Sequence, residues 1–233
     1  MANQTASAAG TNGPTTYLGF DVAHYPQAPT MTTFRTAGFT IVGLYLAHSP
    51  AHPANDWIAV ARSLADDGWG VVPIYVGRQI VDPHGHPVPP PADPQGDGAL
   101  DGRQAVALAG QAGLAPGRTL YLDIEGKAVP SGAFESYLLA WVQAVKGAGY
   151  KTAVYCHHGV QTWAAAHGLP FWTVNLNGQS GSANAYCNLT APLPVDPMDA
   201  NAVGTQARFF CTLDNGTTVF DYDAFSVPDP SRL

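Results

Sequence analysis

Two hydrophobic rhythms alternate along the chain. Short stretches with a period of two are separated by longer stretches with a helical period. Tyr17-Leu-Gly-Phe-Asp-Val22 is the first short stretch. Leu18, Phe20 and Val22 share one face, and Tyr17, Gly19 and Asp21 the other. Thr40-Ile-Val-Gly-Leu-Tyr-Leu46 and Val71-Val-Pro-Ile-Tyr-Val-Gly77 follow as second and third strands, and Arg118-Thr-Leu-Tyr-Leu-Asp-Ile-Glu-Gly126 as the fourth. In the fourth, Leu120, Leu122 and Ile124 suit packing under helices. Tyr121, Asp123 and Glu125 point the opposite way, which puts two carboxylates on one face, roughly 6.5–7 Å apart at Cα. Tyr150 to Tyr155 and Phe171 to Leu176 are the fifth and sixth strands. Helices are predicted at Thr32 to Ala37, at Asp56 to Asp67 with Asn55 as N-cap, at Asp101 to Ala112, at Ser131 to Ala148 and at Gly159 to His167.

The rhythm breaks twice. Residues 80–98 hold six prolines and read as a long irregular excursion over one end of the domain. Residues 177–201 are rich in Gly, Ser, Asn and Pro, without a clear helix. Ala202 to Phe210 and Thr217 to Asp221 then read as two closing strands about a turn at Asp214-Asn-Gly216. Eight strands, with five helices among the first six, predict one α/β domain. It is a (β/α) TIM-like barrel with an irregular last quarter lacking regular helices, spanning residues 15–233 behind a flexible tail of residues 1–14. The alternative is a doubly wound open sheet. That fold wants a Gly-rich phosphate loop after the first strand, which Phe20-Asp-Val-Ala-His24 does not offer.

Composition narrows the function. The 233 residues carry a formal net charge of −7, which argues against nucleic acid or anionic membrane as the partner. No apolar run is long enough for a membrane span, and the start of the chain lacks the basic and apolar regions of a signal peptide. Cys156, Cys187 and Cys211 show no Cys-x-x-Cys spacing, so neither a zinc site nor a thioredoxin-type pair is expected. One disulfide with one buried thiol, or three core thiols, remain equal readings.

In a barrel, the C-terminal strand ends form the active face. The polar residues expected there or on the strands leading to it include Asp21 and His24, His48, Tyr75 and Arg78, Asp123 and Glu125, His157 and His158, Asn175 and Asn177, Gln206, and Asp221 with Asp223. Several converging carboxylates are what glycosidic bond cleavage needs: one protonates the leaving oxygen, and another activates water, attacks, or stabilises the cation. A blander reading makes Asp123 a helix cap and Glu125 a solvated side chain. His48-Ser-Pro-Ala-His52 has the spacing of a metal pair in polysaccharide deacetylases, but Pro50 and Pro53 favour a loop. Trp57, Trp69, Trp141 and Trp163 read as core, and Trp172 as either core or a sugar platform.

Phe20-Asp21 at the start, Leu120-Tyr-Leu-Asp-Ile-Glu125 in the middle, and Gly204-Thr-Gln206 with Val219-Phe-Asp-Tyr-Asp-Ala-Phe225 at the end resemble the family-25 glycoside hydrolases, the muramidase lysozymes. The closer similarity is to a glycoside-hydrolase-like group known as domain of unknown function 1906, from Gly98 to Gly126 in particular. The resemblance implies that Glu125 is the general acid, with Asp123 its partner carboxylate and Asp21 a third acid at the end of the first strand. It places Asp221 near the chain end, and Asp223 where muramidases often have Asn. Ala23-His24-Tyr25-Pro26 departs from the short polar residue usual after the first Asp. The expected activity is hydrolysis of peptidoglycan or a related polysaccharide. The catalytic set is Glu125, Asp123 and Asp21. The substrate contacts are Asp221, Asp223, Tyr75, Arg78, His24, His157, Asn175 and Gln206. Neither a metal nor a cofactor is expected, the partner is a cell-wall glycan, the protein is monomeric, and the location is extracellular or the cell envelope. The alternatives are a catalytically silent glycan-binding barrel and a metal-dependent polysaccharide deacetylase. Crowding by Asp21, Asp123 and Tyr121 is expected to make Glu125 hold its proton more tightly than a free Glu.

Overall fold

A computed structural model describes residues 16–53, 56–82, 84–126, 128–174, 187–190, 202–213 and 216–233. The elements run β1 (Tyr17–Asp21), α1 (Gln27–Thr36), β2 (Ile41–Tyr45), α2 (Trp57–Asp66), β3 (Gly70–Val76), α3 (Pro94–Gln111), β4 (Thr119–Ile124) and α4 (Gly132–Gly147). They continue with β5 (Lys151–Cys156), α5 (His158–Ala166), β6 (Phe171–Val174), β7 (Cys187–Leu189), β8 (Ala202–Leu213), β9 (Phe220–Phe225) and a 3-10 turn, Pro230–Arg232. Strands β1 to β6 pair in parallel in sequence order, and β8 adds in parallel to β6. Strand β9 runs antiparallel to both β8 and β1 and closes an eight-stranded barrel. β7 lies outside the ring, on the far half of β8.

Strand alternation builds two cores. Outward residues such as Phe20, Leu44, Tyr75, Leu122, Val154 and Phe220 pack under the helices. Inward residues Ile41, Val72, Ile74, Val76, Tyr121, Tyr155, Trp172 and Phe225 fill the barrel. The filling depends on missing side chains. A Cβ on Gly19 or Gly204 would lie 2.6 or 2.4 Å from the ring of Phe225, and one on Gly43 would lie 2.5 Å from Cβ of Asp21. Trp172 is therefore an inner-core residue, 1% exposed, between Tyr155 and Phe225, and not a sugar platform. The lower end is plugged by the 3-10 turn. Tyr121 donates its hydroxyl to the Pro230 carbonyl at 3.0 Å, and Arg118 pairs with Asp229 at 2.8 Å.

Several boundaries move. Helix α3 starts at Pro94, inside the stretch expected to be irregular, because Asp93 caps it by accepting from Gly96 N at 3.0 Å and Pro94 suits a first turn. Gly98 and Gly102 then let α3 lie against α4, where an added Cβ would meet the Tyr137 carbonyl oxygen at 2.2 Å or Ala144 Cβ at 2.7 Å. The last strand covers Phe220–Phe225 and not Thr217 to Asp221. β7 was not foreseen. Cys211 is disulfide-bonded and stands in register with Cys187, while Cys156 is a free buried thiol, so the first of the two cysteine readings holds. None of the helices among the described residues is long and apolar enough to cross a membrane.

Candidate active site

The parallel strands end together at one mouth of the barrel. Because β9 runs against them, its first residues lie there. Asp21, the last residue of β1, is the register partner of Asp221, the second residue of β9. One inward step deeper, Asp223 faces Gly19 on one side and Gln206 on the other. Asp123 sits on β4 between Val76 and Tyr155. Asp221 thus reaches the mouth from a strand start, and not from a strand end as its sequence position suggested. Asp123 is a strand residue and caps nothing; Ser131 holds the cap position of α4. Glu125 follows the end of β4 and is exposed.

Asp21, Asp123, Asp223 and Gln206 are all buried. Tyr45 donates its hydroxyl to Asp21 Oδ1 at 2.6 Å. Gln206 donates Nε2 to Asp221 Oδ2 at 2.7 Å, while its Oε1 accepts from the Tyr155 hydroxyl. The backbone N–H of Phe210 donates to Asp221 Oδ1 at 3.0 Å. In contrast, Oδ1 of Asp123 and both carboxyl oxygens of Asp223 have no donor in hydrogen-bond geometry, nor does Trp172 Nε1 find an acceptor in such geometry. Among the described residues, none of the four Asp carboxylates forms an ion pair.

Buried carboxyls without a cation hold their protons. Burial, reinforced by the charge of Asp221, pushes Asp21 up to about 8 against the opposing Tyr45 hydrogen bond. Burial, then Glu125 and Asp21, lift Asp123 well above the usual carboxylate range. Asp223 is lifted likewise by burial, Asp21 and Asp221; the Trp172 indole lies near enough to oppose this, though it is not in hydrogen-bond geometry. Asp221 rises only to about 6, since the Phe210 amide and Gln206 offset part of its burial. The arrangement therefore separates an ionisable rim carboxylate, Asp221, from protonated carboxyls beside and beneath it. Glu125 acts on both Asp123 and Asp221, so it belongs to the same cluster. Tyr121 does not crowd it, being committed to the opposite end of the barrel.

The other expected contacts fare unevenly. Tyr75 points outward, fully buried under the helices, with its hydroxyl on Gln104 Oε1 at 2.6 Å. It cannot touch a substrate at the mouth; its pairing with Leu122, also outward, is the reason. Arg78 is drawn to α3, with its guanidinium 3.1 Å from Asp101 and 3.2 Å from Asp97. His24 is exposed in the loop after β1, and His157 is half-buried at the start of α5. Asn175 and Asn177 lie outside the described residues. The 48–53 segment is a turn closed by a Ser49–His52 bridge. His48 Nδ1 contacts the Pro53 carbonyl, whereas His52 stacks on Tyr45 with ring centroids 4.6 Å apart. The two imidazoles serve different neighbours, so the spacing is not realised as a shared site. Among the described residues no group of His, Cys, Asp or Glu is arranged to hold a metal ion.

Gln79 is a positioning residue that sequence reasoning left out. Its Oε1 accepts from Glu125 N at 2.6 Å, and its Nε2 donates to the carbonyls of Asp123 at 3.0 Å and Gly77 at 3.1 Å. One side chain thus ties the end of β3 to the end of β4. Its location just after β3 was the only signal.

Residues 32–214 match the family described as Rv2525c-like, glycoside hydrolase-like domain. No curated protein matches the chain. Among solved structures, the spore cortex lytic enzyme SleM of Clostridium perfringens superposes with a TM-score of 0.62 at 11% identity, over 93% of this chain and 69% of that one. An uncharacterized B. stearothermophilus protein gives 0.59 at 18% identity, over 89% and 94%. The Tat-secreted protein Rv2525c of Mycobacterium tuberculosis, in complex with L-tartrate, gives 0.55 at 19% identity, over 91% and 95%. At these identities the likeness is one of fold.

Proposed function

The chain belongs to the Rv2525c-like, glycoside hydrolase-like domain family, and we propose that it hydrolyses O-glycosidic bonds in a polysaccharide, with cell-wall peptidoglycan as the first candidate. The observation that carries this reading is the pairing of an exposed carboxyl with a shielded group of carboxyls at one mouth. Glu125 is exposed and acts on both Asp123 and Asp221. Glycoside hydrolysis requires two carboxyls at one cleft, one protonated and one ionised.

In this reading Glu125 gives its proton to the leaving glycosidic oxygen. Asp221, ionised near neutral pH, accepts a proton from the attacking water or stabilises the oxocarbenium-like cation. Asp123 and Asp21 are largely protonated beside them and supply hydrogen bonds instead of charge. This shifts Asp21 from a catalytic role to a supporting one and promotes Asp221. The Tat-secreted relative supports an extracellular or envelope location.

The burial of Asp21, Asp123 and Asp223 favours a second reading, a silent barrel that binds glycan without cleaving it. Incubation with purified peptidoglycan separates the two. Release of reducing ends by the wild type, lost in Glu125→Gln, is the expected result. Retention on the glycan with no reducing ends would install the binding reading.

A further inference from the structure

Strand β8 is irregular where it leaves the barrel. Its register with β9 shifts between Gln206 and Arg208 and again between Arg208 and Cys211. Bulges of this kind re-aim side chains and gather beside functional sites. Phe210 lies in the second shift. It has φ +52°, a left-handed conformation that a bulky side chain adopts only under constraint. The constraint is visible: its N–H is fixed on Asp221 Oδ1 at 3.0 Å. Even so, its side chain is not buried, and the residue is 45% exposed.

The backbone hydrogen bond places Phe210 beside the mouth. Cys211 and its register partner Phe220 both belong to the outer core under the helices. Phe210, in the bulge between Arg208 and Cys211 opposite Asp221, is not part of that core and is open to solvent next to the rim carboxylate. An exposed aromatic ring is thus anchored by its own backbone to the ionisable carboxylate at the rim. Phe209 lies against it, with ring centroids 6.0 Å apart. Nothing in the outer core needs this ring.

We propose that Phe210 is a stacking platform for a pyranose ring, forming a saccharide subsite beside Asp221. The apolar C–H face of a sugar lies on the aromatic face, while its hydroxyls stay within reach of the carboxylate. The inference rests on the glycan reading above but not on catalysis. The shared hydrogen bond gives the subsite a further consequence: a sugar seated on Phe210 is placed in register with the group that handles water.

The test uses the full chain, with the tetramer of β-1,4-linked N-acetylglucosamine and soluble peptidoglycan fragments as probes. Binding is read by calorimetry and hydrolysis by reducing ends, in wild type, Phe210→Ala, Phe210→Trp and Phe210→Gly. Leu100→Ala, at a somewhat more exposed apolar residue on α3, is the control. Phe210→Ala is expected to weaken binding about tenfold, Phe210→Trp to retain it and Leu100→Ala to leave it unchanged. Phe210→Gly removes the ring and relaxes the left-handed backbone. It should lose binding while melting no lower than wild type, which a merely structural role would not produce. Wild-type binding that survives Phe210→Ala overturns the subsite and leaves the hydrolase reading standing. Binding lost in Phe210→Ala without any wild-type hydrolysis upholds the subsite and overturns the hydrolase. A wild type that binds neither probe overturns both.

Discussion

Asp21 and Asp221 face one another across the antiparallel seam between β1 and β9, in register, and among the described residues no basic side chain pairs with either. Burial, reinforced by the like charge of Asp221, keeps a proton on Asp21. Gly43 makes the room, because any side chain on it would strike Asp21. The seam is also the place where strand direction reverses. The reversal is what lets residues from both ends of the sequence share one mouth.

The raised acids fix the sign of the pH dependence of stability. An acid whose folded-state pKa lies above its unfolded value binds protons more readily in the native state. Its contribution is full below the unfolded pKa and is lost as pH rises through the folded one. For Asp21 the window runs from 3.8 to about 8, and for Asp221 from 3.8 to about 6. Asp123 and Asp223 push the same way. Urea melts between about pH 5 and pH 8 should therefore show stability falling as pH rises. Asp21→Asn should flatten the upper part of that slope. A stability that climbs steadily to pH 8 would mean that these carboxyls are ionised in the native state.

The barrel, its parallel order and its irregular C-terminal region were legible because alternation and strand spacing are local signals. The closing geometry was legible only in part. The turn at Asp214-Asn-Gly216 pointed to an antiparallel closing pair, but the last strand was expected at Thr217 to Asp221 where it covers Phe220–Phe225, so Asp221 looked like the end of a strand when it is near the beginning of one. Tyr75 was misplaced for a related reason: it is polar and on β3, but its parity puts it outward with Leu122. The start of α3 at Asp93-Pro94 was readable from its cap and was masked by the prolines around it. The role of Gln79 was not readable, because a hydrogen bond across 46 residues leaves no trace in spacing.

Gly43 offers a test of how tightly the seam is packed. In Gly43→Ala the new Cβ would come within 2.5 Å of Asp21 Cβ and 2.9 Å of Ile74 Cδ1. Overpacking of this kind costs about 1–3 kcal/mol. A thermal melt should show the loss, and displacement of Asp21 should alter the pH slope described above. A variant as stable as wild type, with the same slope, would show that β1 and β2 are less closely apposed than the distances require.

Glu125 and Asp123 should separate cleanly on any cleaved glycan. Glu125→Gln removes the transferable proton and should lower kcat about 10²–10⁴-fold. Its melting point should hardly move, since the side chain is exposed. Asp123→Asn keeps a hydrogen-bonding group in place of an acid that is already protonated, so its loss of activity should be smaller. Full activity in Glu125→Gln would place the acid elsewhere.

Gln79 gives the sharpest test of how Glu125 is held. Three hydrogen bonds converge on its amide: Glu125 N–H comes in, and the carbonyls of Gly77 and Asp123 are served in return. Gln79→Ala frees the end of β4 and leaves those backbone groups to find water. The stability cost should be about 1–2 kcal/mol, because each lost bond is worth roughly 1 kcal/mol and the site is only half-buried. The larger effect should fall on turnover. A carboxyl displaced by about 1 Å from its proton-transfer position can lose as much as 10²-fold, so kcat should drop by about tenfold or more while KM changes little. Gln79→Glu divides the two halves of the clamp. It still accepts from Glu125 N–H but no longer donates to Asp123 or Gly77. If orientation of Glu125 is what matters, Gln79→Glu should recover part of the kcat lost in Gln79→Ala, even if its melting point stays low. Equal kcat in wild type and Gln79→Ala would mean that Glu125 is positioned by something other than this amide.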